Sequence, residues 1–230
     1  FASGTTALTI GTYAFRNTGL TAFEVPARAT KLDKYCFNGC EKLADLTFET
    51  RTKALTLGDY IFQGCTALTT VALPDAVTAL PASAFYGCEN LATLTTAKLI
   101  SIGNSAFRDC SALTSIALPE TLTTISINAF MGAGLTSVTI PKSCTSIGDN
   151  AFGYCADLTS FAVAEGNTAF AAYAITENET ILLKLGAAEG DPSTVIATPA
   201  KVTGTVTLPE NAVFGGYAWN GMMTTVTSLV

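Results

Sequence analysis

An aromatic residue recurs at Phe15, Phe37, Phe62, Phe85, Phe107, Phe130 and Phe152, each falling close to one fixed interval after the last. A unit that short cannot bury a core of its own. The chain is confined to architectures in which each unit makes one turn and covers its apolar side chains with the units on either side. Trp219 follows Phe152 by close to three further periods, so the register resumes at Tyr217-Ala218-Trp219 and the ladder has eight rungs.

The neighbours of each rung repeat as well. The residue before it is Ala14, Cys36, Ile61, Ala84, Ala106, Ala129, Ala151 or Ala218, and five places before it stand Ile10, Leu32, Leu57, Leu80, Ile102, Ile125, Ile147 and Phe214. In five units a glycine follows that apolar residue: Gly11, Gly58, Gly103, Gly148 and Gly215. After the rung comes an L-x-x-L-x-L pattern, as in Leu68, Val71, Leu73 and in Leu135, Val138, Ile140. Alternation over its last part predicts a short strand with one buried face. Pro26, Pro74, Pro119 and Pro141 stand where four of these strands must end, because proline brings no N–H to a ladder. Each unit is therefore expected to place one short strand on one side and a short helical or 3₁₀ turn, around the Ala-Phe pair, on the other. Stacking such turns about 4.8 Å apart pairs each strand with its neighbours.

These residues closely resemble the BspA-like, or TpLRR-type, leucine-rich repeat family. Leu113-Thr114-Ser115-Ile116-Ala117-Leu118-Pro119 and Cys144-Thr145-Ser146-Ile147-Gly148-Asp149-Asn150-Ala151-Phe152 follow its repeat almost position for position. The fold class expected is an α/β repeat solenoid: a curved, right-handed leucine-rich-repeat solenoid with short parallel strands on the concave face and short helical or 3₁₀ turns on the convex face. One domain spans residues 1–230, with regular repeats over 1–162, a degenerate island over 163–213 and a final repeat over 214–230. In the island, Tyr173 to Thr176 and Thr180 to Leu183 flank Glu177-Asn178-Glu179 and read as a β-hairpin. The resemblance further implies a bacterial or protist cell-surface or secreted protein, with adhesion to host matrix proteins or other cells as the family's theme.

Chemistry is sparse. The chain has no histidine, which excludes His-based triads, Cys-His dyads and His-ligated metals. A net charge of -6 argues against nucleic acid as a partner. The surplus is uneven: residues 143 to 230 hold eight acidic and two basic side chains, whereas residues 1 to 60 hold six and seven. No apolar run approaches the ~20 residues of a membrane span. The chain opens at Phe1 without a basic, apolar leader, so secretion would mean that a targeting segment has been removed.

Five of the seven cysteines, Cys40, Cys65, Cys88, Cys110 and Cys155, stand three places after a rung. One repeat position implies a row of interior thiols. Parallel stacking keeps their Cβ atoms near the turn spacing and above the ~3.8 Å that a disulfide prefers, so free thiols are expected and zinc is not. The units that lack this cysteine, at Thr18 and Ala133, are also one residue shorter before the next leucine. Carboxylate pairs such as Asp45 with Glu49 and Glu177 with Glu179 have no context that would raise a pKa for glycoside hydrolysis.

What remains is surface. The residues between the inward apolar positions should line the open strand face: Ala22 and Glu24, Asp45 and Thr47, Thr70 and Ala72, Thr93 and Thr95, Ser115 and Ala117, Ser137 and Thr139, Ser160 and Ala162. The strip is small and polar, and beyond the first two units it is nearly uncharged. Candidate partner-binding residues are Glu24, Asp45, Glu49, Thr70, Thr93, Thr95, Ser115, Ser137, Thr139 and Ser160. Without large aromatic or Arg anchors, weak multivalent contact is the natural expectation. The function expected is a non-enzymatic, extracellular or surface-anchored module, monomeric and without cofactor, that binds a protein or glycan such as host matrix. The alternatives are a structural spacer with no ligand of its own and, more remotely, a glycan-binding or glycan-processing module.

Overall fold

The computed structural model describes residues 6–158, 160–164 and 167, together with short strands at 182–183, 195–197, 204–206 and 226–229. Thirteen strands follow one another through the repeats: β1 Leu8–Ile10, β2 Ala22–Val25, β3 Ala29–Leu32, β4 Asp45–Phe48, β5 Thr56–Leu57, β6 Thr70–Ala72, β7 Ala79–Leu80, β8 Thr93–Thr95, β9 Ser101–Ile102, β10 Thr124–Ile125, β11 Ser137–Ile140, β12 Ser146–Ile147 and β13 Ser160–Val163. All their pairings are parallel, and each joins residues roughly one repeat apart, as Thr124 with Ser101 and Ser137 with Ser160. The repeat coils into a β-solenoid.

Most turns carry two strands where the sequence suggests one. The L-x-x-L-x-L segment forms β2, β4, β6, β8, β11 and β13, paired as β2-β4, β6-β8 and β11-β13. The apolar residue five places before each rung sits on a second, shorter strand, and these pair as β1-β3-β5 and β7-β9-β10-β12. Proline marks the corner between the two: the N–H groups of Ala29, Val77, Leu122 and Cys144 donate to the carbonyls of Pro26, Pro74, Pro119 and Pro141. The second strand has only two residues in most turns, too few for alternation to announce it in the sequence.

The third side differs from the helical or 3₁₀ turns expected. No helix occurs among the described residues. Two residues per turn, two places before and two after the rung, take left-handed backbone angles: Tyr35 (φ 57°) and Gly39 (69°) around Phe37, Ser105 (55°) and Asp109 (59°) around Phe107. A helix needs consecutive right-handed residues, so a left-handed one every fourth place breaks it into tandem tight turns. The N–H groups then alternate. Arg108 bonds back to Ser105 within its turn, while Ser105, Phe107 and Asp109 bond to Ile127, Ala129 and Met131 of the next. Every turn is thus stitched to its neighbour on this side too.

The rungs form the predicted ladder. Ring centroids from Phe15 to Phe152 are separated by 5.1, 5.6, 5.3, 5.6, 5.1 and 5.1 Å, all stacked. Phe37 through Phe152 are fully buried with Leu43, Leu68, Leu91 and Leu113. Each such side chain contributes roughly 1.5–3 kcal/mol of burial. Close approach explains one of the glycines: a Cβ on Gly103 would lie 2.6 Å from the carbonyl carbon of Pro81 in the preceding turn.

Beyond β13, β14 Leu182–Leu183 pairs antiparallel with β15 Val195–Ala197, and β16 Gly204–Val206 pairs parallel with β17 Val226–Leu229. Of the hairpin expected around Glu177-Asn178-Glu179 only Leu182–Leu183 is described, in β14; its other residues, the Trp219 rung and the rest of the island lie outside the described residues.

Candidate functional site: the strand face

Alternation along the longer strands sets the face. In β8, Leu94 turns inward and is buried while Thr93 and Thr95 are exposed; in β11, Val138 and Ile140 are buried while Ser137 and Thr139 are exposed. Parallel, in-register pairing carries this across each pair of strands, so Thr70 lies beside Thr93 and Ala22 beside Asp45. Glu24, Asp45, Thr70, Thr93, Thr95, Ser115, Ser137 and Thr139 are all exposed on this face. Ser160 lies on β13, at the position paired with Ser137.

Glu24 and Asp45 sit on adjacent strands in diagonal register, since Glu24 pairs with Thr47 and Asp45 with Ala22. Neither takes part in an ion pair among the described residues. Glu49 stands apart from them. It follows β4, and its carboxylate accepts the backbone N–H of Ala27 at 2.6 Å, fastening one turn to the next. Two places on, the Arg51 guanidinium donates to the carbonyls of Ala29 (3.0 Å), Val25 (3.1 Å) and Pro26 (3.2 Å) and lies over the Phe48 ring. Burial lowers the Arg51 pKa from its usual value, with Glu49 opposing the shift.

The cysteines are free and buried. Cys40, Cys65, Cys88, Cys110 and Cys155 each donate a thiol hydrogen bond to the carbonyl of the rung phenylalanine one turn earlier, at 2.9 to 3.2 Å. Among the described residues no cluster of His, Cys, Asp or Glu is arranged to hold a metal. Nor is any helix long and apolar enough to cross a membrane.

A second, partly exposed feature escaped the reading of the sequence. Tyr13, Tyr35 and Tyr60, each two places before a rung, stack along the turn side with centroids 5.1 and 4.7 Å apart, and Arg16 lies over Tyr13 at 5.3 Å. Their shared offset from the ladder was the available signal.

Short parallel strands recurring once per turn, leucines inside and a polar row outside, define a leucine-rich-repeat solenoid. Six copies of the repeat described as the BspA type leucine rich repeat region match residues 8–98 and 94–185, and the chain belongs to that family. Among solved structures it is similar to a leucine rich cell surface protein from Faecalibacterium prausnitzii A2-165, with a TM-score of 0.72 and 26% identity over 89% of this chain and 53% of that one. A leucine-rich repeat protein from Bacteroides ovatus ATCC 8483 gives 0.62 and 30% over 66% of this chain and 39% of its own. This chain therefore spans about half, or less, of the length of these relatives. No curated protein matches it.

Proposed function

We propose that this chain is a non-enzymatic binding module of an extracellular or cell-surface protein, and that it engages protein partners through the strand face. The observation that carries the reading is the exposed polar row that recurs from turn to turn, with two carboxylates, Glu24 and Asp45, at its N-terminal end that enter no ion pair among the described residues. Membership of the repeat family and the cell-surface description of a similar structure support it. The rest of the row offers hydroxyls and methyls, so electrostatic choice of partner begins at those two carboxylates and favours a basic surface. Matrix proteins and host-cell surfaces are the partners to try first, and the small, unanchored middle of the face suits weak multivalent contact.

The test is a binding screen of the purified chain against immobilised matrix proteins and glycans, repeated at rising salt and with the double variant Glu24→Gln, Asp45→Asn. Glu49 is left intact because it holds Ala27. Saturable protein binding that weakens with salt and drops at least threefold in the variant supports the reading. Silence across the panel would favour a spacer. Binding that ignores both salt and the substitutions would move the site off these turns.

A further inference from the structure

A cavity opens in the middle of the strand face. It has a volume of about 240 Å³ and lies where two consecutive turns meet, lined by residues 115–118 and Glu120 of one and by residues 137–139 and Pro141 of the next. Residues 115–118 follow the strand pattern yet form no ladder with either neighbour, since β8 pairs only with β6 and β11 only with β13. The ladder is interrupted between β4 and β6 as well, so an interruption marks no site by itself. What sets this turn apart is the seating of its inward side chains. Ile116 and Leu118 are only partly buried, whereas Val71 and Leu73, their counterparts in the turn of β6, are buried.

The lining is divided by chemistry. Ile116, Leu118 and the buried Val138 supply apolar surface, while Ser115, Ser137 and Thr139 supply hydroxyls that can accept hydrogen bonds. Glu120 closes one end, just past the corner at Pro119. It is exposed, and its carboxylate enters no ion pair among the described residues. Lys142 holds the matching place one turn on, after Pro141, but does not line the cavity. The volume is below the roughly 300–1,000 Å³ of small-molecule pockets, which leaves room for one side chain and not for a stretch of backbone. An apolar wall with acceptors along it and a carboxylate at its end is the complement of arginine, whose aliphatic stem carries a tip of five N–H donors and no acceptor. An acidic side chain would meet Glu120 as a like charge. A wholly apolar one would strip water from the hydroxyls and the carboxylate without replacing it.

We propose that this cavity is an anchor pocket that receives a single arginine side chain of a protein partner docked on the strand face. The stem lies along Ile116, Leu118 and Val138, and the guanidinium reaches Glu120. The inference rests on the reading of the strand face as a protein-binding surface and adds the side chain that such a partner must present. The middle of the face has no anchoring side chain of its own, and here the partner supplies one; buried arginines are among the residues that dominate interface energies. The sense of charge agrees with Glu24 and Asp45 at the N-terminal end, so all three carboxylates select a basic surface.

Methyl NMR on the full chain tests it, with a capped Gly-Arg-Gly peptide as the probe. Titration should shift the methyl signals of Ile116, Leu118 and Val138 saturably. Capped Gly-citrulline-Gly, which keeps the shape and loses the charge, and capped Gly-Phe-Gly should each bind at least threefold more weakly. Glu120→Gln should weaken the arginine peptide at least threefold, and Lys142→Gln, which removes a competing cation, should tighten it. Opposite effects from two exposed positions cannot come from a damaged fold. Unmoved methyl signals, equal binding of the citrulline or phenylalanine peptide, or indifference to Glu120→Gln would overturn the proposal. The double variant Glu24→Gln, Asp45→Asn should leave the titration unchanged, which separates the two readings. Matrix binding that responds to the double variant but not to Glu120→Gln would sink the pocket alone, whereas a saturable arginine site with silence across the matrix panel would sustain the pocket and remove the wider reading.

Discussion

The thiol of Cys110 donates to the carbonyl of Phe85 at 3.1 Å, one turn back along the ladder. The same carbonyl already accepts the N–H of Cys88 at 3.0 Å, so the sulfur takes its second lone pair. Each cysteine three places after a rung thus joins two consecutive turns, which explains why it accompanies the longer connection: the additional residue leaves room for a side chain that reaches backward. Ala133, in a shorter unit, has no donor to offer. Native protein should show few or no reactive thiols toward a thiol reagent, and denatured, unreduced protein all seven. An intact mass lower by two units per missing thiol pair would mean that a disulfide had formed.

The thiols also tie stability to alkaline pH. Burial pushes Cys36, Cys110 and Cys155 up to about 12 and Cys144 to about 11, and raises Cys65 and Cys88 as well. In the unfolded chain a thiol ionises near 8.5. Below that pH both states are protonated and stability is whole. Above it the unfolded state releases protons that the folded state keeps, so stability falls by about 1.4 kcal/mol per pH unit for each such thiol. For Cys36, Cys110, Cys144 and Cys155 the loss is complete once the folded thiols ionise, near pH 11 to 12, while Cys65 and Cys88 keep their protons to higher pH. Melting temperatures in reductant should drop steeply between pH 8.5 and 10.5, and Cys110→Ala should lessen the slope by about one proton. A flat profile would mean that the thiols are hydrated.

Removing a central rung should be costly. Phe107→Ala deletes a ring stacked between Phe85 and Phe130, and flanking turns held by backbone hydrogen bonds cannot close the cavity. The expected loss is about 3–5 kcal/mol by denaturant titration. Arg108→Ala, one residue later, removes only a partly exposed contact over Tyr86 and a 3.5 Å approach to Asp109. It should cost about 1 kcal/mol or less. Equal losses would contradict the register.

Left-handed positions give a separate test of the turn side. Ser105 has φ 55°, where a β-branched side chain is strained. Ser105→Gly should be close to neutral, and Ser105→Val should lower stability by about 1–2 kcal/mol. Were the side helical, as the sequence suggested, the glycine variant would be the worse of the two.

The ladder, the strand face and the buried thiols were legible because each depends on one side chain recurring at one phase. The second strand was harder to see, since two residues such as Thr124-Ile125 carry no alternation. The tandem turns were masked by chemistry: Tyr, Ser and Asn share the left-handed place before the rung, and Gly, Asn, Asp and Tyr the one after, so residue type varies while φ does not. The missing strand at residues 115–118 was invisible for another reason: Leu113 to Pro119 matches the repeat consensus well, and the pattern of side chains does not report which segments pair.

The interval from Phe37 to Phe62, the longest between consecutive phenylalanine rungs, raises a last expectation. Leu43 to Leu57 is two residues longer than the matching span Leu68 to Leu80, and the excess forms the loop after β4 that carries Arg51. A loop of that length at a strand end leaves carbonyls of the previous turn facing it, and the guanidinium answers three of them, at Val25, Pro26 and Ala29. Two already have another donor: Glu49 N–H reaches Val25 O at 3.0 Å, and Ala29 N–H reaches Pro26 O at 2.9 Å. Truncation therefore should not cost the full desolvation penalty of three buried acceptors. Arg51→Met, which keeps the stem over Phe48, should lose about 1–2 kcal/mol, at the low end for hydrogen bonds to a charged group. Arg51→Lys should recover less than half, because an ammonium cannot fork across carbonyls from two parts of the turn. Lys53→Met, at an exposed neighbour, should stay within about 0.5 kcal/mol. Denaturant midpoints for the three variants decide the matter. If Arg51→Met falls no further than Lys53→Met, the carbonyls are satisfied by water and the loop is held by Glu49 and Ala27 instead.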